Sequence, residues 1–247
     1  MIVKEVHAKT ILSKSKVQDY TINPYIGCQH ACTYCHARFI KRFTGHKEEW
    51  GEFVDVKVNA PSLLALEIRK KKRGRVWVSG LCDPYQPLEK KYEVTRKCLE
   101  ILSRHNWPVT VQTKSPLVLR DTDLLKNSDN IEVTITITTA DEKIRQIFEP
   151  NASSITQRLD ALEKLHSAGI KNSLMIAPIL PLAEDLVKKA SGKVDRVILD
   201  RMNYHYADWV YRKHGLEYAR DEKFFEQKKT ELVDALKKEG IPYRPLF

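Results

Sequence analysis

Short β-rich runs alternate with amphipathic helical stretches along most of this chain. That alternation limits the fold more than any other feature of the sequence. Strand-like runs fall at residues 18–23, 53–58, 75–78, 109–112, 131–138, 172–177 and 194–199. The run IEVTITIT at 131–138 carries the strongest β signal, because β-branched residues suit a pleated surface. Helical patterns lie between the runs: one opened by Pro61 and ended by Gly74, then 92–104, 122–126, 156–168 (stopped by Gly169) and 182–190. Proline suits a first helical turn, and glycine suits the left-handed position after a last one. A further helix is predicted at 33–43 and a final amphipathic one at 223–238, whereas residues 1–17 are polar and lack clear periodicity.

Strands separated by helices imply right-handed βαβ units and a parallel sheet. The runs give about six such units, short of the eight in a closed barrel. The expected fold is therefore α/β: a partial (βα)6 TIM-like barrel of parallel strands with a C-terminal helix. The length, 247 residues, suits one such domain. No linker or low-complexity stretch divides it. One domain is expected over 1–247, with the barrel core at about 18–200 and an aromatic-rich segment plus the C-terminal helix at about 201–247.

Hydrophobic residues at 42% and charged residues at 30% suit a globular chain. No run of about 18 apolar residues occurs, and the start, MIVKEVHAKT, lacks the apolar stretch that export requires. A cytoplasmic location and no membrane partner are the expectation. The net charge of +10 favours a polyanionic partner such as nucleic acid. Much of that charge has a blander use: the run Arg69-Lys70-Lys71-Lys72-Arg73 ends a predicted helix, where cations complement the dipole and face water.

Five cysteines are present, and an odd count argues against a disulfide framework. Three of them, Cys28, Cys32 and Cys35, fall in Gly27-Cys28-Gln29-His30-Ala31-Cys32-Thr33-Tyr34-Cys35-His36. Ligands this close can converge on a metal centre from one loop. Three thiolates can hold three irons of a cubane cluster, and the fourth iron is then left for a chelating small molecule. Zinc is the competing metal, with His36 or His30 as fourth ligand. Structural zinc sites usually draw a second pair from elsewhere in the chain, and no such pair follows.

Cys-x3-Cys-x2-Cys with an aromatic, Tyr34, before the third cysteine resembles the signature of the radical S-adenosylmethionine (SAM) superfamily. The stretch NPYIGCQHACTYCHARF is similar to the subgroup related to spore photoproduct lyase. So are GLCDPYQPLE, Thr95-Arg96, TKSPLVLRDTDLL, FEPNA and RLDALEKLHSAGI, in that order, over about residues 21–182. The resemblance implies a [4Fe–4S] cluster on Cys28, Cys32 and Cys35, with SAM chelating the unique iron. An electron from the cluster then cleaves the S–C5′ bond, and the 5′-deoxyadenosyl radical abstracts a hydrogen atom from a substrate. An electron donor such as ferredoxin or flavodoxin is implied as a partner.

Polar groups at the C-terminal ends of parallel strands face a barrel's active end. Ser79, Cys82 and Asp83, in Ser79-Gly80-Leu81-Cys82-Asp83-Pro84-Tyr85, are thus cofactor-binding candidates. Asp83 reads equally as a turn residue before proline, and Cys82 as a small buried apolar side chain. Lys114 follows a strand and could meet the SAM carboxylate or ribose. Thr136 and Thr138 share one strand face, although threonine also simply suits strands. Tyr34 and Ile179 complete the cofactor set, Ile179 in a strand end where Leu182 stands in place of the usual glycine. Cys82, His36 and Tyr85 are the catalytic candidates. Glu149 and Arg158 match the family pattern and read equally as a surface ion pair.

Two positions depart from the lesion-cleaving lyases. Their hydrogen-donating cysteine falls at Gly80 here, and their tyrosine after the third cluster cysteine is His36. The aromatic segment from Tyr204 to Arg212 reads either as a cover with bases stacked on it or as packing that buries apolar area. Three functions remain open: radical SAM chemistry on a nucleic acid or nucleotide, the same chemistry on a small molecule or peptide, and a non-catalytic zinc or iron–sulfur nucleic-acid-binding module.

Overall fold

A computed structural model describes all residues, Met1 to Phe247. The chain forms two compact units: Met1–Ala31 with Ala37–Val133, and Cys32–His36 with Thr134–Phe247.

The first unit opens with β1 (Ile2–Val6), β2 (Ser13–Lys14), β3 (Tyr20–Ile22) and β4 (Tyr25–Ile26). A one-turn α1 (Lys41–Thr44) leads to β5 (Phe53–Lys57), α2 (Ala60–Glu67), β6 (Val76–Val78), a short α3 (Glu89–Tyr92), α4 (Val94–Arg104), β7 (Val109–Thr113) and α5 (Thr122–Lys126). Strands β3, β6 and β7 pair in parallel, and β2 runs antiparallel on β3. Strand β5 stands apart from that series, parallel to β1 and antiparallel to β4. This explains why the strand-like runs outnumber the βαβ units. Helix α4 forms because Val94, Cys98 and Leu102, spaced by four, join Leu99 on one buried face.

Strand β8 (Ile131–Thr136) starts in the first unit and ends in the second. Apart from Glu132 it is buried throughout, as a strand covered on both faces should be.

The second unit continues with α6 (Glu142–Phe148), α7 (Ile155–Ser167), β9 (Asn172–Ile176), α8 (Asp185–Ala190), β10 (Arg196–Leu199), α9 (Asp208–Lys213), α10 (Glu222–Lys238) and β11 (Tyr243–Pro245). Strands β9, β10 and β11 are parallel. Helix α7 is set by its ends: Ser154 and Gln157 form a capping box, and Gly169 follows at φ +73°. Its face of Ala161, Leu162 and Leu165 is buried, as are Phe224, Phe225, Leu232 and Leu236 of α10.

The chain is thus an α/β fold whose parallel strands alternate with helices, as the partial (βα)6 TIM-like barrel requires. Several local expectations need correction: α2 ends at Glu67 rather than at Gly74, so the basic run 69–73 lies beyond the helix. Residues 1–17 contain β1 and β2, and Tyr243–Pro245 adds a strand. Residues 33–43 form a 3-10 turn at His36–Ile40 before α1 rather than one helix. The helix expected over 92–104 starts at Val94, because Glu93 turns left-handed at φ +52°. Helix α8 begins at Asp185, and Leu182 lies outside it at φ +61°. That left-handed backbone is the physical reason a glycine suits the Leu182 position.

Candidate active site

The cysteine loop leaves β4 through Gly27. Gly27 sits at φ +87°, and a Cβ there would stand 2.3 Å from the carbonyl oxygen of Phe53. Gly27→Ala is expected to cost about 3 kcal/mol, since backbone strain and the clash add. Anaerobic urea denaturation checks this, and an unchanged midpoint would contradict it. Beyond Gly27, backbone bonds shape two turns: Ala31 N–H to the Cys28 carbonyl (3.3 Å) and Cys35 N–H to the Cys32 carbonyl (3.2 Å). None of the three cysteines is in a disulfide; Cys28 and Cys32 are buried and Cys35 is half-buried.

Residues of GLCDPYQPLE brace the first part of the loop. Gln29 N–H donates to Gln86 Oε1 (2.9 Å), and Leu88 N–H donates to Gln29 Oε1 (2.7 Å). Gln86 Nε2 donates to the Gly27 carbonyl (3.4 Å). His30 Nδ1 stands 3.3 Å from Asp83 Oδ2. Asp83 also accepts from Thr113 Oγ1 (2.6 Å), Lys114 N–H (2.7 Å) and Tyr85 N–H (2.9 Å). Burial acts to raise its pKa, but His30 and the donors from Thr113 and Lys114 outweigh that and hold it at about 2. Its carboxylate is therefore ionised and taken up by protein donors. It ties the loop after β6 to the end of β7, and the backbone of Lys114 is fixed with it.

At the end of β6, Ser79 is left-handed at φ +73°. The Cys82 thiol donates to Ser79 Oγ at 3.4 Å. Burial pushes the Cys82 thiol up to about 11, against the lowering by Ser79, the Tyr25 backbone and Lys57. It stays protonated at neutral pH. Gly80 has no such group, and a Cβ on it would stand 3.1 Å from the Trp77 ring.

Tyr85 is fully buried and donates to Asp121 Oδ2 at 2.9 Å. Asp121 also pairs with Arg96 (2.9 Å) and Arg120 (2.7 Å). Arg120 reaches Glu89 at 2.9 Å, and Glu89 accepts from Thr95 N–H, Arg96 N–H and the Tyr25 hydroxyl. Gln29, Gln86, Glu89, Arg120 and Asp121 were not singled out from the sequence. The available signal was their place inside matched segments.

The second unit holds the rest of the loop in the same manner. Thr33 donates to the Phe148 carbonyl through N–H (2.9 Å) and Oγ1 (3.2 Å). The Tyr34 hydroxyl donates to Glu149, as does Thr138 Oγ1 at 3.1 Å. Glu149 Oε2 pairs with Arg158 Nη1 at 2.6 Å, and both side chains are 0% exposed. The surface reading of this pair is therefore wrong: it lies in the core, where a charge needs a partner. Arg158 Nη1 also donates to the Thr136 carbonyl at 3.0 Å. Burial first, and Glu149 second, raise Tyr34 well above the usual phenol range. Ile179 is buried, its N–H bonded to the Asp200 carbonyl at 2.9 Å.

His36 stacks on Tyr204, with centroids 5.5 Å apart and planes at 20°. The aromatic segment divides between its two readings: Tyr211 is buried against Phe148 (4.8 Å), whereas Tyr204 and Trp209 are each 49% exposed.

No group of three or more His, Cys, Asp or Glu is gathered as a cage for one metal ion. A cubane places each thiolate on a different iron and asks for no such tight convergence. Three thiols outside any disulfide, on a sheltered, pre-turned loop, fit that cluster. No helix is long and apolar enough to cross a membrane.

The chain is 35% identical over 219 residues to an uncharacterized protein of Methanocaldococcus jannaschii, covering 87% of this chain and 80% of that one. It is 32% identical over 179 residues to an uncharacterized protein of Acidianus two-tailed virus, covering 69% of this chain and 59% of that one. Among solved structures, a spore photoproduct lyase variant with bound AdoMet and dinucleoside spore photoproduct superposes with a TM-score of 0.75. That match has 16% identity and covers 100% of this chain and 82% of the other. The family model of the radical SAM superfamily matches residues 22–189. With that match running through the cysteine loop and both sets of braces around it, the chain belongs to the radical SAM superfamily and is a radical SAM enzyme, using AdoMet and an iron–sulfur cluster.

Proposed function

We propose that Cys28, Cys32 and Cys35 hold a [4Fe–4S] cluster at which SAM is reductively cleaved, and that the substrate is a nucleic acid or nucleotide. Three thiolates without a fourth protein ligand, on a loop braced by family segments, carry the first part. Bound there, the cluster would supply the electron that releases a 5′-deoxyadenosyl radical from SAM. The net charge of +10 and the dinucleoside bound by the similar lyase support the second part. A ferredoxin or flavodoxin would serve as reductant. The family match spans parts of both units, which supports one radical SAM domain over 1–247.

The residues then divide by task. Ser79 and Lys114 in the first unit, and Thr136 and Ile179 in the second, lie at strand ends and are the proposed contacts to SAM, whereas the Thr138 hydroxyl is already given to Glu149. Asp83 and Tyr34 act as positioning residues, because their polar atoms are already committed to protein partners. Tyr85, buried on Asp121, braces rather than reacts. Cys82, which holds its proton at neutral pH, and His36, which follows the third cysteine in sequence, are the residues proposed to act in the chemistry.

Anaerobic reconstitution followed by assay for 5′-deoxyadenosine with dithionite and SAM tests the reading, and absence of the product would overturn it. Lys114→Ala should weaken SAM binding about ten- to a hundredfold, the loss of a charge-assisted contact of about 1.5–3 kcal/mol. Calorimetry on the reconstituted protein measures it, and an unchanged Kd would return Lys114 to an ordinary loop role.

Spore photoproduct itself should be repaired poorly. Reversal of that lesion requires a hydrogen atom returned to the product radical. Gly80 offers no thiol, and the Trp77 ring crowds the place where one would grow. Dinucleoside photoproduct incubated with reduced enzyme and SAM should yield little thymine. Multiple-turnover repair that disappears in Cys82→Ala would refute this and make Cys82 the donor.

A further inference from the structure

The loop after β10 mounts an exposed tyrosine with unusual firmness. Arg201 N–H donates to Asp200 Oδ1 (2.8 Å), and Asn203 Nδ2 donates to Asp200 Oδ2 (3.0 Å). Arg220 donates to the carbonyls of Met202 (3.0 Å) and Tyr204 (3.2 Å), and pairs with Asp208 at 2.8 Å. Asp208 in turn meets His205 at 2.8 Å. The backbone around Tyr204 is thus fixed, yet the Tyr204 ring is 49% exposed.

That ring lies on His36, the residue after Cys35, and Tyr206 continues the row with centroids 6.3 Å from Tyr204 and planes at 31°. Packing does not account for this arrangement, because a ring that served packing would be covered, as Tyr211 is. Farther along, exposed Trp209 and Tyr218 are interleaved with exposed Arg212 and Lys213. Flat rings on a rigid mount with cations beside them suit unpaired bases, whose faces stack and whose phosphates attract the cations.

We propose that His36, Tyr204 and Tyr206 form a stacking platform for an unpaired base of single-stranded nucleic acid, adjoining the third cluster cysteine. This rests on the nucleic-acid reading of the substrate above. A base on the platform would stand beside the cysteine loop with one face held. The cations of α9 would engage the flanking phosphates.

The test uses the reconstituted holoenzyme and fluorescence anisotropy with labelled 12-residue oligo(dT), oligo(U) and a duplex of equal length. Single strands should bind more tightly than duplex. Tyr204→Ala should weaken single-strand binding about tenfold, the scale of one lost stacking contact, whereas Tyr204→Phe should retain it. The cluster absorbance serves as the control for folding. Preference between oligo(dT) and oligo(U) distinguishes DNA from RNA as the source of the base. Equal affinity of Tyr204→Ala and wild type overturns the platform. So does failure of the wild type to bind single strands at low salt, or duplex binding as tight as single-strand binding. Wild-type formation of 5′-deoxyadenosine is read separately, so loss of the platform and loss of the radical chemistry are distinguishable.

Discussion

Alanine in place of any one of Cys28, Cys32 or Cys35 is expected to abolish the cluster and, with it, all formation of 5′-deoxyadenosine. The wild-type chain should bind about four irons and four sulfides after anaerobic reconstitution. A cubane held by two thiolates has two irons without protein ligands and is lost. Cys82→Ala and Cys98→Ala should keep the full iron content. Cys98 is fully buried in α4, where burial pushes its thiol far up and leaves it inert. Iron and sulfide analysis with the visible spectrum of each variant decides the matter. Stoichiometric zinc without sulfide in anaerobically prepared protein would overturn the assignment and favour the zinc-module reading.

Arg158→Ala should destabilise the fold by about 3–5 kcal/mol, because it leaves the buried carboxylate of Glu149 facing no charge. For a chain of this size that corresponds to a melting temperature lower by roughly 6–20 °C. Glu149→Gln should cost a similar amount, because it leaves the buried Arg158 guanidinium without its counter-charge even though the amide can still accept from Tyr34 and Thr138. Tyr34 precedes the third cysteine, so Arg158→Ala should also load iron poorly. Anaerobic calorimetry and iron content measure both effects. A variant that melts with the wild type would show that Glu149 finds another partner or a proton at little cost.

The arrangement explains why the family segments are so widely spaced. GLCDPYQPLE supplies Asp83, Gln86 and Leu88 to the first part of the cysteine loop, and FEPNA supplies Phe148 and Glu149 to the second. Asp83 and Tyr34, first read as touching the cofactor, brace the cysteine loop.

Local chemistry wrote much of this into the sequence. The three-cysteine spacing marks the candidate cluster loop by itself, since ligands within one loop need no distant partner, and the family match runs through it. The strands β3, β6, β7, β8, β9 and β10 were legible because β-branched runs bounded by turns carry their own signal. The ends of α7 were legible because Ser154, Gln157 and Gly169 act within a turn of their own position. What lay outside the sequence depends on residues far apart in the chain. Strand β1 is exposed along most of its length, without the inward-outward alternation that would announce it, and exists because β5 offers it a paired edge. Glu149 and Arg158 look like any surface pair until the packing of β8, α6 and α7 buries them. The left-handed backbones at Ser79, Glu93 and Leu182 carry no glycine to announce them. The stack of His36 on Tyr204 joins positions 168 residues apart, which no periodicity encodes. Burial and ring contact are properties of the assembled core, and only the tertiary structure decides them.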